Sequence, residues 1–193
     1  MSTNNLSQNT SLKALKADFL ATSTSSMPYA GILFWSLAGL AGLIVTPKQL
    51  AFGVTFGSGL IFPLAVLIDK LRGRNLMAGG TSNPLTGMFL QPLVLVVMLW
   101  PLVITGAAGN PTFIVLGGAI LMGVIWIPYG WAADDPAGMR HAVLRVALSY
   151  GAYLLAPAAL KGSAICVAVL VCYFYSLLIM KKGGLDQRAT SIA

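Results

Sequence analysis

The 193-residue sequence has very few charged side chains. Asp, Glu, Lys and Arg together make up 9% of the chain, whereas hydrophobic residues make up 57%. An ordinary soluble domain carries about 25% charged residues, because its surface must be solvated. The scarcity of charge therefore excludes an ordinary soluble fold of this length and predicts that most of the outer surface faces lipid.

Acidic and metal-binding side chains are scarcer still. The sequence contains no Glu, five Asp, one His and two Cys, and none of the Asp residues lies deep in an apolar run. A carboxylate-driven proton or sodium carrier, a voltage sensor or a buried metal site would need more ionisable groups. The sequence also lacks a Ser/His/Asp constellation and a His/Cys ligand cluster. We therefore expect no metal and no cofactor, and we do not predict an enzyme.

The apolar residues fall into separate runs, each close to the roughly 20 residues needed to cross a bilayer. We place six transmembrane helices, at Pro28–Val45, Pro47–Ile68, Pro84–Ile104, Pro111–Trp131, Pro136–Leu160 and Ser163–Met180. Four of them begin with a capping side chain directly before proline: Thr46-Pro47, Asn83-Pro84, Asn110-Pro111 and Asp135-Pro136. The cap accepts a hydrogen bond from a free backbone amide, and proline has no amide to satisfy. The sequence thus predicts an all-α integral membrane protein, a bundle of about six transmembrane helices.

The basic residues predict the orientation of this bundle. With a cytoplasmic N-terminus, only Lys48 and Lys161 lie outside, and ten basic residues lie inside: Lys13, Lys16, Lys70, Arg72, Arg74, Arg140, Arg145, Lys181, Lys182 and Arg188. This asymmetry predicts that both termini are cytoplasmic and that the number of spans is even. It also accounts for the formal net charge of +7, so we predict no nucleic-acid partner.

Residues 1–26 form a polar leader before the transmembrane domain at 27–182, and residues 183–193 are predicted to be a disordered cytoplasmic tail. The leader is rich in Ser, Asn and Thr up to Thr10. From Ser11 to Leu20 it has an apolar stripe beside Lys13 and Lys16. That pattern is typical of a short amphipathic helix on the inner membrane surface. A simple lead-in to the first span is an equally good interpretation.

The fifth span carries polar groups at membrane depth. His141, Arg145, Ser149 and Tyr153 are spaced by four and share one helix face, whereas the opposite face is apolar. Gln91, beside Pro92 in the third span, is a further polar candidate. An ionisable group inside a membrane is a functional candidate by default. We therefore predict that these five residues bind a ligand or line a pore.

Each of these residues also has a structural interpretation. Arg145 has a long side chain that can reach the headgroups, and His141 can be an ordinary interfacial histidine. Asp134 and Asp135 are close enough in sequence to neutralise the basic residues at the start of this span. Gln91 can form a hydrogen bond to Ser149 or Thr55 and so join two helices.

Glycines, prolines and aromatic residues inside the spans predict how the helices pack. Small residues let helices approach closely in lipid, and the clearest motif is Gly53-x-x-x-Gly57. Proline kinks helices, and transporters use such kinks to expose backbone groups to a substrate. The prolines concerned are Pro63, Pro92, Pro101, Pro128 and Pro157. Aromatic residues near helix ends, including Trp126, Trp131 and Tyr173, are assigned to an interfacial belt.

Several short stretches resemble an uncharacterised family of small multi-pass bacterial membrane proteins. They are Asp18-Phe19 leading into Pro28 to Trp35, Phe62-Pro63-Leu64-Ala65 with Lys70, Asn83-Pro84-Leu85, and Ile127-Pro128-Tyr129-Gly130-Trp131. The resemblance implies a bacterial inner (cytoplasmic) membrane. It carries over no functional residues, because the family has no assigned activity.

Two functions stay open at this point. The first is a small-solute or ion transporter or channel, with the polar face of the fifth span along its path. The second is a non-catalytic membrane partner or accessory subunit that acts through helix–helix packing. The expected partners are the lipid bilayer and either a second copy of this chain or another membrane protein.

Overall fold

The computed structural model describes residues 11–74 and 83–184, and this part of the chain contains helices and no strand. The α-helices are α1 (Leu12–Thr22), α2 (Ser26–Ala41), α3 (Pro47–Gly57), α4 (Ile61–Leu71), α5 (Pro84–Gly106), α6 (Thr112–Val124), α7 (Trp126–Ala132), α8 (Ala137–Leu155) and α9 (Lys161–Ile179). The predicted disordered leader to Thr10 and residues 185–193 of the predicted tail lie outside the described residues.

All four predicted capping hydrogen bonds are present, but proline is the first helical residue only in α3 and α5, because α6 and α8 begin one residue after Pro111 and Pro136. The Thr46 hydroxyl accepts a hydrogen bond from the backbone amide of Gln49 at 3.3 Å. The side-chain oxygens of Asn83, Asn110 and Asp135 each accept a hydrogen bond from the backbone amide two residues later. Their distances are 2.9 Å from Leu85 to Asn83, 3.2 Å from Thr112 to Asn110 and 3.0 Å from Ala137 to Asp135. Each bond satisfies an amide that has no partner within its own helix.

Proline interrupts two of the long helical stretches. A 3-10 turn at Ser58–Leu60 joins α3 to α4 ahead of Pro63, and α6 gives way to α7 at Ile125, ahead of Pro128. In both places the ring removes an amide donor and crowds the preceding turn. Pro92 and Pro101 lie inside the continuous helix α5.

The end of the predicted fifth span is corrected. Helix α8 ends at Leu155 instead of Leu160, and Ala158–Leu160 forms a 3-10 turn that leads into α9. Pro157 therefore lies in the connection between two helices and does not kink a span. Its ring disfavours helical geometry at Ala156, which has extended backbone angles.

Four helical stretches are long and apolar enough to cross a membrane: Pro47–Leu71, Pro84–Gly106, Thr112–Ala132 and Ala158–Ile179. Helix α2 is apolar but shorter, with 16 residues. Helix α8 has 19 residues and carries the polar face described above. The chain is thus a helical bundle of the membrane type; its six crossings and its orientation stay predictions.

Helices α6 and α9 form the centre of the bundle. Helix α9 packs against α2, α6 and α8, and α6 also contacts α3 and α5. The shared core includes Trp35, Val54, Val115, Ile165 and Val169, all fully buried. Large apolar side chains cover the outside instead of charged ones, among them Phe52, Met98, Leu155 and Leu178. An apolar outer surface is expected where the surroundings are lipid.

One end of the bundle, here called the proximal end, is where α2, α5 and α8 begin and where α4, α7 and α9 end. Helix α1 lies across it. Phe19 packs against Leu85, Ala132 and Ala133, and Asn83 donates to the Leu15 carbonyl at 2.9 Å. The predicted short N-terminal helix is confirmed as a helix; its place on a membrane surface stays a prediction.

The chain returns to the proximal end after α9. Gly183 lies against the backbone of Ser23, just beyond the end of α1. Gly184 lies against the backbone of Ala21, within the end of that helix. The end of α1 and the segment that follows α9 are thus neighbours. An even number of crossings would produce this arrangement.

Asp134 and Asp135, just before α8, both bond to lysines, and within the described residues no ion pair joins either of them to Arg140 or His141, which one interpretation had expected. Asp134 forms an ion pair with Lys16 at 3.4 Å and another with Lys181 at 3.8 Å. Asp135 accepts the backbone amide of Lys181 at 2.7 Å. These bonds tie α1, α8 and the end of α9 together at the proximal end.

Candidate functional site

The polar face of α8 points into the bundle. His141, Arg145 and Ser149 are all fully buried, and they line the side of α8 that meets α6 and α9. Arg145 is the ninth of the 19 residues of α8, about 12 Å along the axis from its start. Its side chain is enclosed by neighbouring helices and does not run along α8 to the helix end, which disfavours the anchoring interpretation.

Three neighbouring helices surround the Arg145 side chain. Its Nε donates to the backbone carbonyl of Ala119 on α6 at 2.7 Å. The guanidinium carbon lies 5.5 Å from the ring centre of Trp35 on α2 and 5.1 Å from that of Tyr173 on α9. Aromatic rings at such distances attract a cation through their quadrupole.

Gly123 makes the approach of Arg145 to α6 possible. A Cβ atom added at Gly123 would lie 2.9 Å from Cδ of Arg145 and 3.4 Å from Nε. The first of these distances is too short for unstrained contact, so the arginine would have to shift. The absence of a side chain at this position lets the arginine lie against the helix and reach the Ala119 carbonyl.

His141 is held in one protonation state by its partners. Its Nε2 lies 3.4 Å from Nη1 of Arg145, which can only donate, so Nε2 must accept. The ring proton then resides on Nδ1, which donates to the Ser176 hydroxyl at 2.7 Å. The ring also stacks on Trp126, with centres 4.0 Å apart and planes inclined by 14°. His141 is thus a neutral residue that is buried inside the bundle.

The site leaves three buried polar atoms without a hydrogen-bond partner in the part of the chain that the structure describes. They are Nη2 of Arg145, Oγ of Ser149 and Nε1 of Trp35. Arg145 also has no carboxylate within ion-pair distance among the described residues. A buried charge without a counterion is costly in any apolar interior. The cluster therefore has spare capacity to donate hydrogen bonds to something bound there.

The other two predicted site residues lie elsewhere. Gln91 is exposed on α5. It bonds to neither predicted partner, because the Thr55 hydroxyl donates to its own helix at Ala51 and Ser149 has no partner among the described residues. The Tyr153 hydroxyl accepts from Asn110 at 2.9 Å, and Lys161 lies 4.9 Å from its ring centre, at the end of the bundle opposite the proximal end. The structure therefore brings together three of the five predicted residues.

Sequence reasoning missed several members of this cluster. Trp126 and Tyr173 were assigned to an interfacial belt, but both are buried against the His141 ring. Trp35 and Ser176 gave no signal, because a single tryptophan or serine in an apolar run resembles ordinary packing. Gly123 belonged to a set of packing glycines and its particular partner was not evident.

A carboxylate is also buried near one end of the bundle. Asp69 lies two residues before the end of α4 and is almost fully buried. It accepts a hydrogen bond from the Ser26 hydroxyl at the start of α2. This pair is at the proximal end and joins α2 to α4. No group of three or more His, Cys, Asp or Glu side chains in residues 11–74 and 83–184 is arranged to hold a metal ion.

A glycine substitution tests the geometry around Arg145. Gly123→Ala should displace the arginine from α6 and weaken its bond to Ala119, lowering the free energy of unfolding by about 1–3 kcal/mol as overpacked cores do. Gly53→Ala is the matched control, because nothing lies within 4 Å of its added Cβ. Thermal unfolding in detergent measures the stability of both variants. Equal stability would contradict the close approach of Arg145 to Gly123.

No curated protein and no solved structure matches this sequence. One family model does, and it covers residues 12–181, from the start of α1 to just beyond the end of α9. The match includes every element that builds the cluster around Arg145. The chain belongs to this family, DUF7010, which is described as a family of unknown function.

Proposed function

We propose that this chain is a six-span protein of the bacterial inner membrane, with both termini cytoplasmic, that transports a small solute or ion through the cluster around Arg145. The observation that carries the proposal is the fully buried guanidinium halfway along α8, with no carboxylate partner among the described residues. The ten-to-two distribution of basic residues supports the orientation.

The cost of burying this charge argues for a role beyond packing. A buried ion pair is often no more stabilising than well-packed apolar residues, and a lone buried charge is worse. If α8 only needed to fill space between α6 and α9, an apolar side chain would do so at lower cost. Ionisable groups kept inside membranes under such conditions mark substrate or ion pathways.

The shape of the bundle favours a transporter over a permanently open channel. The larger groove, about 480 Å³, lies between α2 and the α3–α4 stretch and has apolar walls. A second, small cavity lies near the start of α3. Neither is lined by His141, Arg145 or Ser149. Solute would therefore enter when helices move, as in carriers that alternate between two accessible states.

Solute flux into proteoliposomes tests this proposal. Vesicles containing the purified chain and the potassium ionophore valinomycin receive an inward-directed step of potassium chloride, potassium nitrate, urea or glycerol, and stopped-flow light scattering records how fast their volume recovers. At least one solute should equilibrate faster than in protein-free vesicles, and Arg145→Met should remove the difference. Equal rates with and without protein for every solute would contradict transport of these solute classes.

A non-catalytic partner role is the second candidate, and one observation favours it. Of the predicted packing motif on α3, Gly57 lies against Phe34, but Gly53 has no atom within 4 Å of its added Cβ. Half of the motif thus has no helix packed on it among the described residues. No flux above that of protein-free vesicles, together with a self-associated chain in detergent, would support this role.

A further inference from the structure

We propose that the solute held at Arg145 is a small monovalent anion, bound by the Arg145 guanidinium, the Ser149 hydroxyl and the Trp35 indole. This inference rests on the proposed function, since it names the class of solute that the same cluster takes. Its evidence is the chemistry of the three buried polar atoms that lack a partner.

All three of these atoms can donate a hydrogen bond. The guanidinium Nη2 and the indole Nε1 are donors only, and the serine hydroxyl donates one bond while it can also accept. All three side chains are fully buried. A set of donors with no competing carboxylate suits a ligand that is rich in acceptors, and excludes a metal cation or an ammonium group.

Two of the donor side chains lie close together, and the third lies one turn further along the same face of α8. Ser149 follows Arg145 by one helical turn and so shares its face of α8. The guanidinium carbon lies 5.5 Å from the Trp35 ring centre, so α2 provides the facing wall. Arg145 Nε is already committed to the Ala119 carbonyl at 2.7 Å. The free Nη2 edge of the guanidinium is what remains for a ligand.

Charge balance determines the valence. His141 is neutral in its hydrogen-bonded arrangement, because its Nε2 accepts from Arg145. The site therefore carries a single positive charge. In a low-dielectric interior a monovalent anion would leave the complex neutral, whereas a divalent one would leave an uncompensated negative charge.

The charges at both ends of the bundle agree with an anionic solute. At the end opposite the proximal one, the first turns of α3 and α9 carry Lys48 and Lys161, and neither these turns nor the connections at that end contain an acidic residue. At the proximal end basic residues outnumber acidic ones, and Asp134 is already paired with Lys16 and Lys181. Clefts flanked by one sign of charge raise the local concentration of the opposite ion.

Anion binding to the purified chain in detergent tests the inference without requiring transport. Chloride and nitrate are titrated against a constant-ionic-strength background of gluconate, and thermal unfolding and tryptophan fluorescence are recorded. We expect a saturable rise in the unfolding temperature with chloride or nitrate and none with sulfate. Ser149→Ala should weaken the apparent affinity several-fold, and Arg145→Met should abolish the response.

Arg140→Met is the matched control, because it removes the same charge from an exposed position on the same helix. It should retain the saturable response. An identical rise in Arg145→Met, or no saturable response to either anion in a folded wild-type sample, would overturn the inference. Saturable binding without flux would uphold anion binding and refute transport, whereas flux of urea or glycerol without anion binding would uphold transport and refute this inference.

Discussion

Replacing Arg145 with methionine is expected to abolish solute flux and to raise the stability of the folded chain at the same time. The substitution removes a buried charge that has no carboxylate partner among the described residues. Replacing buried ionic groups with apolar residues of similar volume is often neutral or stabilising, by about 1–4 kcal/mol. Methionine is unbranched and flexible, so it can occupy the space between Trp35 and Tyr173.

Two measurements separate function from folding in this variant. Stopped-flow light scattering of proteoliposomes measures flux, and thermal unfolding in gluconate buffer measures stability without a binding anion. Arg145→Lys is the informative companion, because it keeps the charge but loses the planar donor fork; it should retain part of the flux. A destabilised Arg145→Met with unchanged flux per folded molecule would show that the arginine serves packing alone.

The largest effect on folding is expected at the contact between α7 and α8. A Cβ atom added at Gly138 would overlap the Trp126 carbonyl and lie 2.6 Å from the Cα of Gly130. These are backbone atoms, so no side-chain rotation can relieve the overlap. Gly138→Ala should therefore force the two helices apart and lower the free energy of unfolding by about 3 kcal/mol or more, at the upper end for overpacked sites.

The same helix provides the control for this prediction. Gly151 on α8 has nothing within 4 Å of its added Cβ, so Gly151→Ala should stabilise the helix by about 0.5–1 kcal/mol. The yield of monodisperse protein in detergent and its unfolding temperature measure both variants. Similar behaviour of the two variants would contradict the close approach of α7 and α8. In Gly138→Ala, the displacement of the start of α8 should also move His141 away from Trp126, on which its ring stacks in the wild-type chain.

Helix positions followed well from the sequence, whereas the membership of the site did not. Thr46, Asn83, Asn110 and Asp135 marked helix starts because a cap and its proline act within a few residues of each other. The spacing of His141, Arg145 and Ser149 likewise placed them on one face of α8. Neither signal required knowledge of which helix lies opposite.

Apart from the end of the fifth span, the errors concern the environment of a side chain. Trp126 and Tyr173 were expected at an interface, and Arg145 was given an alternative role as an anchor in the headgroups. Their burial depends on α2, α6 and α9 closing around α8, and the residues that do so lie far away in the sequence. Composition and spacing cannot report such contacts, since they arise from packing between distant segments.

By itself the sequence determined that this chain is apolar, helical and divided at capped prolines, because these properties come from local residue preferences and from the scarcity of charge. Tertiary structure alone decided that Arg145 meets the Ala119 carbonyl, that His141 is neutral between Arg145 and Ser176, and that Gln91 lies outside the cluster. The physical reason is close packing: Gly123 leaves the space in which the arginine lies against α6, and only the assembled bundle shows what fills that space.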